Sequence, residues 1–182
     1  MDARFLSSFT DPTPNLKVLG RFVSPFSLRH RVTLTAADSP IIKAGASVRP
    51  IDLLVAVKIC AGETLGKLTW RDHLELWKMK SRDVYFEEQI NLFGAYALTE
   101  AWPKFWDKSA KSGGTSTTPW PLTVVCNLIA NGIPEERAWN MPESQAIWLH
   151  SGFAIMNGAD LKVLTTEQEQ ELAEIEKELT HE

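Results

Sequence analysis

The chain has 182 residues, 44% of them hydrophobic and 23% charged, with a formal net charge of −4. A chain of that length suits one domain that buries roughly 70% of its unfolded surface, so it needs no disulfide or metal to fold, and the composition excludes global disorder. Charge is uneven: residues 166–182 carry seven acidic groups against Lys177, leaving 18 basic and 16 acidic groups in residues 1–165, and neither part has the concentrated basic face of a nucleic-acid binder.

The N-terminal Met1-Asp2-Ala3-Arg4-Phe5 lacks the basic-then-apolar layout of a signal peptide. Residues 1–20 hold Pro12 and Pro14 and few periodic apolar positions, so they read as an extended or poorly ordered N-terminal arm. Ser24-Pro25 has the form of a helix start, a capping residue followed by proline at the first helical position. Residues 26–37 fit both periods: Leu28, Val32 and Leu34 suit a helix, while Arg31-Val32-Thr33-Leu34-Thr35 alternates as a strand does. Helix is the favoured assignment.

Arg49-Pro50 opens a firmer helix over 51–61, closed by Gly62 and mostly buried with one solvated edge. Asp52 and Lys58 interrupt its apolar run, and nowhere does an apolar stretch approach the roughly 20 residues that span a bilayer. A cytoplasmic protein with no membrane partner is expected. Thr69 to Asp72 resembles a capping box and starts the next helix, on which Trp70, Leu74, Trp77 and Ser81 share one face. The longest helical signal covers 83–101, with Phe86, Ile90, Phe93, Ala97 and Ala101 in a stripe and Pro103 as the stop. Residues 111–118, Lys-Ser-Gly-Gly-Thr-Ser-Thr-Thr, form a flexible linker.

Beyond the linker, helices are predicted over 122–131, ended by Gly132, over 134–139, and from Pro142 to a stop at Gly158. Thr166-Glu167-Gln168-Glu169 is a capping box that leads an acidic helix whose strongly apolar positions are Leu172, Ile175 and Leu179. The expectation is a mainly α, single-domain bundle of six to seven helices: an arm at 1–20, a helical domain at 21–165 jointed at 111–118, and an acidic C-terminal helix at 166–182.

Few residues suit covalent or metal chemistry. His30, His73, His150 and His181 are dispersed, and none has a Glu or Cys at helical ligand spacing. His150 and Ser151 are adjacent, which on a helix sends them to different sides, and no nucleophile elbow is present. Cys60 and Cys126 lie in apolar runs, and two buried, reduced thiols are favoured over a lone structural bridge between them. Gly113-Gly114 lacks the Gly-Lys-Ser/Thr ending of a phosphate loop. Helices around residue 132 have helix-turn-helix spacing, but between Lys111 and Lys162 only Arg137 joins His150 as a basic residue, too few to neutralise phosphates. No enzyme activity, cofactor, metal or nucleic acid is expected.

Aromatic side chains stand out instead, since there are seven Trp. Trp102, Phe105 and Trp106 surround Pro103, and Trp120 sits between two prolines. Aromatic groups at helix ends suit the desolvated centre of a protein interface, so Trp102, Phe105, Trp106 and Trp120 are the candidate partner-binding residues.

Two stretches carry a resemblance. One runs from Pro25-Phe26-Ser27-Leu28-Arg29-His30 through Ser39-Pro40 to Asp52-Leu53-Leu54. The other runs from Pro119-Trp120 through Ala138-Trp139-Asn140-Met141-Pro142 and Glu143-Ser144-Gln145-Ala146 to Thr165-Thr166-Glu167. Together, over about half the chain, they resemble the small helical tail assembly chaperones of tailed bacteriophages and prophages. The resemblance implies a non-enzymatic cytoplasmic factor that binds the tape-measure protein, keeps it soluble and helps recruit tail-tube subunits. A structural adaptor that stays in the particle and a regulatory binder of a host protein are the competing functions.

Overall fold

Helix formation starts at the second residue, where the Asp2 carboxylate accepts the Arg4 backbone N–H at 2.8 Å and caps a first helix, α1, Ala3–Thr10. The structure is a computed structural model that describes residues 2–10, 16–43, 45–97, 101–105 and 118–180. The expectation of an extended arm at 1–20 is therefore corrected. Pro12 and Pro14 lie outside the described residues, and α1 ends before them. The arm's last residues form a hairpin, β1 Lys17–Val18 and β2 Arg21–Phe22, in antiparallel register. Its two-residue turn puts Leu19 at φ 48 and Gly20 at φ 69. A leucine rarely occupies such a turn, which hid the hairpin from the sequence. Here its side chain is 2% exposed and its N–H donates to Gln89 Oε1 at 2.8 Å, so burial and a long-range bond outweigh the local strain.

The remaining helices are α2 Leu28–Ala36, α3 Pro50–Cys60, α4 Trp70–Ser81, α5 Asp83–Ala97, α6 Trp120–Ala130, α7 Glu135–Asn140, α8 Glu143–Met156 and α9 Thr166–Thr180. A 3-10 turn, Pro40–Ile42, follows α2, and a second short hairpin pairs β3 Lys104–Phe105 with β4 Val163–Leu164. The protein is mainly helical, as the periodicity predicts, with nine α-helices among the described residues.

Two boundaries shift for capping reasons. The first helix after the hairpin begins at Leu28 rather than after Ser24, because Ser27 accepts the His30 N–H while His30 Nδ1 accepts the Ser27 N–H at 3.2 Å. Ser24 instead lies before the helix, where its N–H donates to the Cys60 carbonyl and its own carbonyl accepts the Tyr96 hydroxyl. The cap of α9 is Thr165 with Gln168, one residue earlier than expected. Glu169 is thereby released to pair with Arg4 and Lys104.

The chain divides into two compact units, each gathered from separate stretches of sequence. The larger runs from Pro12–Thr99 and includes Trp139–Glu143. Its core joins Val18, Phe26, Leu34, Leu53, Leu54, Val57, Phe93 and Tyr96, with Phe86 and Ile90 packed against it as the α5 stripe predicts. Glu143, 2% exposed, holds the short segment in place: its N–H donates to the Phe26 carbonyl at 2.8 Å, and its carboxylate accepts two bonds from the Arg31 guanidinium.

At the end of α3, Gly62 adopts φ +69, and the Gly62 and Glu63 N–H groups bond back to the Ile59 and Lys58 carbonyls at 3.1 and 2.9 Å. A Cβ built there meets no atom within 4 Å. Gly62→Ala is therefore a backbone substitution alone, expected to cost about 1 kcal/mol of unfolding free energy in a urea titration.

The other unit comprises Met1–Asp11, Glu100–Ala138 and Ser144–Glu182. Phe5 stacks tilted on Phe9 at 4.8 Å and edge-on to Trp148 at 5.5 Å. Trp148 Nε1 and Ser8 Oγ both donate to the Ala101 carbonyl, at 2.8 and 3.0 Å, and Gln145 donates to the Ser8 carbonyl at 2.8 Å. Val124, Val125, Leu128 and Ala146 are buried in this unit, while Met156, the last residue of α8, is 82% exposed. The linker is outside the described residues except for Thr118.

Candidate functional site

Of the four residues proposed from sequence, Trp102 and Trp120 meet edge to face at 5.8 Å. Phe105 lies on β3, opposite Val163, and is 36% exposed. Trp120 is 44% exposed at the start of α6, a helix that also shows Leu122 and Ile129 to the outside. Trp106 lies outside the described residues. Trp102 and Trp120 thus form one aromatic contact on the smaller unit, part sealed and part open.

Among the described residues the two most exposed tryptophans are elsewhere, on α4. Trp70 is 74% exposed, Trp77 59% and Leu74 41%. At spacings of four and three residues they line one face over two turns, about 10 Å long at 1.5 Å per residue. An amphipathic helix normally turns such a face inward. This one presents it to solvent, with Leu65, Leu68 and Val84 exposed on the adjoining segments.

Charge sets this orientation. Asp72, 0% exposed, serves two functions at once. It caps α4 by accepting the Thr69 N–H at 2.8 Å, and it accepts Lys58 Nζ at 3.1 Å and the Arg21 guanidinium. Lys58, a cation within the apolar run of α3, is only 5% exposed, and Glu63 completes the network at 3.0 Å from Arg21 and 3.8 Å from Lys58. Burial pushes the Asp72 carboxyl up. The Thr69 N–H, the Lys58 ammonium and the Thr69 hydroxyl outweigh that and hold it at about 2. On a helix of 3.6 residues per turn, fixing Asp72 and Met79 inward leaves Trp70, Leu74 and Trp77 on the opposite side.

The rim of the exposed face is basic. From residue 67 to 82 there are five Lys and Arg residues against Asp72 and Glu75. Asp72 is spent in the buried network, and Glu75 accepts Lys78 at 2.7 Å and the Tyr85 hydroxyl at 2.8 Å. Lys67, Arg71, His73, Lys80 and Arg82 are all exposed. The sequence identified the shared face of Trp70, Leu74 and Trp77. The signal of its direction was the pairing of an internal Lys58 with the capping Asp72.

Other side chains considered for chemistry are differently occupied. Ser151 Oγ donates to the Ile147 carbonyl at 2.8 Å, within its own helix. The buried Cys60 thiol is pushed up to about 12 by desolvation, so it stays protonated. Cys126, expected to be buried, is exposed, because α6 turns Val124, Val125 and Leu128 inward instead; both cysteines are free. A cavity of about 140 Å³, small for a ligand site, is lined by Asp2, Ala3, Thr165, Thr166 and Glu167. Among the described residues no three His, Cys, Asp or Glu side chains gather as metal ligands, and no helix is long and apolar enough to cross a membrane. Comparison with protein-family profiles, with characterised proteins and with solved structures finds no match to this chain, so its own surface is what a functional assignment rests on.

Proposed function

We propose that this protein is a non-enzymatic assembly chaperone that holds an apolar segment of a protein partner on the outer face of α4. The observation that carries the proposal is the pair of indoles, Trp70 and Trp77, held in solvent by a buried charge network beneath them. Leaving two large aromatic side chains in water forgoes favourable burial of about 25 cal/mol per Å², which a partner recovers by covering them. The resemblance over residues 25–54 and 119–167 gives the partner class: a phage tape-measure protein or tail-tube subunit, bound in the host cytoplasm during morphogenesis.

Co-expression with a tape-measure protein, followed by affinity capture, tests this. Trp70→Ala/Trp77→Ala is expected to reduce capture at least tenfold while the thermal midpoint moves by less than about 2 °C, since neither ring lies in the core. Undiminished capture by that variant overturns the assignment of the α4 face. Trp120→Ala in the same assay reports separately on the Trp102, Phe105 and Trp120 surface; a selective loss of capture there moves the contact to the smaller unit.

A further inference from the structure

The exposed face of α4 follows the heptad spacing of a coiled-coil seam: Trp70, Leu74, Trp77 and Ser81 recur at intervals of four, three and four residues. The two heptad positions farthest from that seam are Asp72 and Met79, and these are the buried ones. The helix is thus held by its back and offers the seam to solvent. In a heptad the positions bordering the seam choose the partner by charge. Here they are Arg71 and Lys78 on one border and His73 and Lys80 on the other, with no acidic residue among them. Lys78 is already paired with Glu75 at 2.7 Å. Arg71 and Lys80, one on each border, are exposed and form no ion pair among the described residues. Each side of the seam therefore keeps one fixed positive charge for a partner.

We infer that the segment held on α4 is an amphipathic helix of the partner protein, with apolar residues at heptad spacing and Asp or Glu along both borders. The inference rests on the α4 face being the binding surface and adds the class of segment it takes. Pairing α4 with α4 of a second copy sets basic border against basic border. An acidic helix instead brings carboxylates to Arg71 and Lys80 while it covers the indoles. The exposed apolar seam is short, Trp70, Leu74 and Trp77, so the contact is weak, with a Kd of about 1–100 μM, and the borders decide which segment is kept. Surface ion pairs are screened within about 10 Å at 0.1 M salt, so binding weakens as salt rises.

Fluorescence anisotropy of labelled synthetic peptides, titrated with the full chain, provides the test. The acidic probe is a peptide of about three heptads with Leu at the seam positions and Glu at the border positions, and the basic probe has Lys in place of Glu. At low ionic strength the acidic probe is expected to bind about tenfold tighter than the basic one, and to lose most of that advantage in about 0.5 M NaCl. Arg71→Glu/Lys80→Glu is expected to reverse the preference, so that the basic probe binds the better, which a merely damaged fold cannot do. Equal binding of the two probes to the native chain overturns the inference, as does a preference that survives the charge reversal. No binding of the acidic probe up to about 500 μM also overturns it. If the chain then sediments with phosphatidylserine vesicles in a Trp70- and Trp77-dependent way, the occupant is a lipid surface instead. The two proposals fail separately: partner capture lost in Trp70→Ala/Trp77→Ala, with both probes bound alike, retains the chaperone assignment and removes this inference. Undiminished capture by that variant removes both.

Discussion

Asp72→Ala is expected to cost about 4 kcal/mol of unfolding free energy at neutral pH, among the largest effects of any single substitution here. The substitution leaves Lys58, 5% exposed, with Glu63 at 3.8 Å as its remaining carboxylate, and it removes the acceptor for the Thr69 N–H at the start of α4. An uncompensated buried cation accounts for most of the loss and the missing cap for about 1 kcal/mol. Lys58→Met/Asp72→Leu, which removes both charges, is expected to recover a large part. Full cost in the double variant would show that the pair contributes packing rather than charge compensation.

The same carboxylate gives a pH signature. Its folded value of about 2 lies below the roughly 3.9 of an unfolded aspartate, so acid protonates the unfolded chain first. The stabilisation is complete above pH ~4 and disappears as pH falls towards ~2, a change of about 2 kcal/mol from this group. Urea titrations at pH 4.5, 3 and 2 check it, with Asp72→Asn as the control that loses this contribution to the slope.

Arg31→Ala is the second large effect, at about 3 kcal/mol. Glu143 is 2% exposed and takes two hydrogen bonds from the Arg31 guanidinium, one of them 2.7 Å from Nη2 to Oε2. Burial raises the Glu143 carboxyl, and Arg31 acts against that by stabilising the ionised form. Without the guanidinium the burial effect stands alone and the folded value rises further above the unfolded one. A raised carboxyl favours the folded state while protonated, and that contribution is lost as pH climbs through the folded value. The deficit of Arg31→Ala is therefore expected to be larger at pH 8 than at pH 5, and Arg31→Met/Glu143→Leu to be close to neutral. A deficit independent of pH would assign the loss to packing on Phe26, whose ring lies 5.3 Å from the guanidinium carbon.

These networks mark the division between local and non-local information. Helices α3 to α9 were legible because each carries its own punctuation: Pro50 and Gly62 around α3, the Thr69–Asp72 cap of α4, Gly132 after α6 and Gly158 after α8. Helix α1 was not, because its cap is a single Asp2 and its aromatic face is completed by Trp148, over 140 positions away. The hairpin at 17–22 was missed because its turn residue, Leu19, depends on Gln89. The contact of Trp102 with Trp120 and the outward direction of Trp70 and Trp77 were both beyond the sequence, because each depends on residues brought together only by folding.

The sequence alone determined that the chain is mainly helical and where most helices begin and end. Tertiary structure decided which face of α4 is inside. Periodicity reports that Trp70, Leu74 and Trp77 share a side, but an apolar stripe and a buried carboxylate compete for the interior. Lys58 on one helix and Arg21 on a hairpin, brought together only by folding, settle that competition for Asp72, because a carboxylate is buried at tolerable cost only where cations and N–H donors already wait for it.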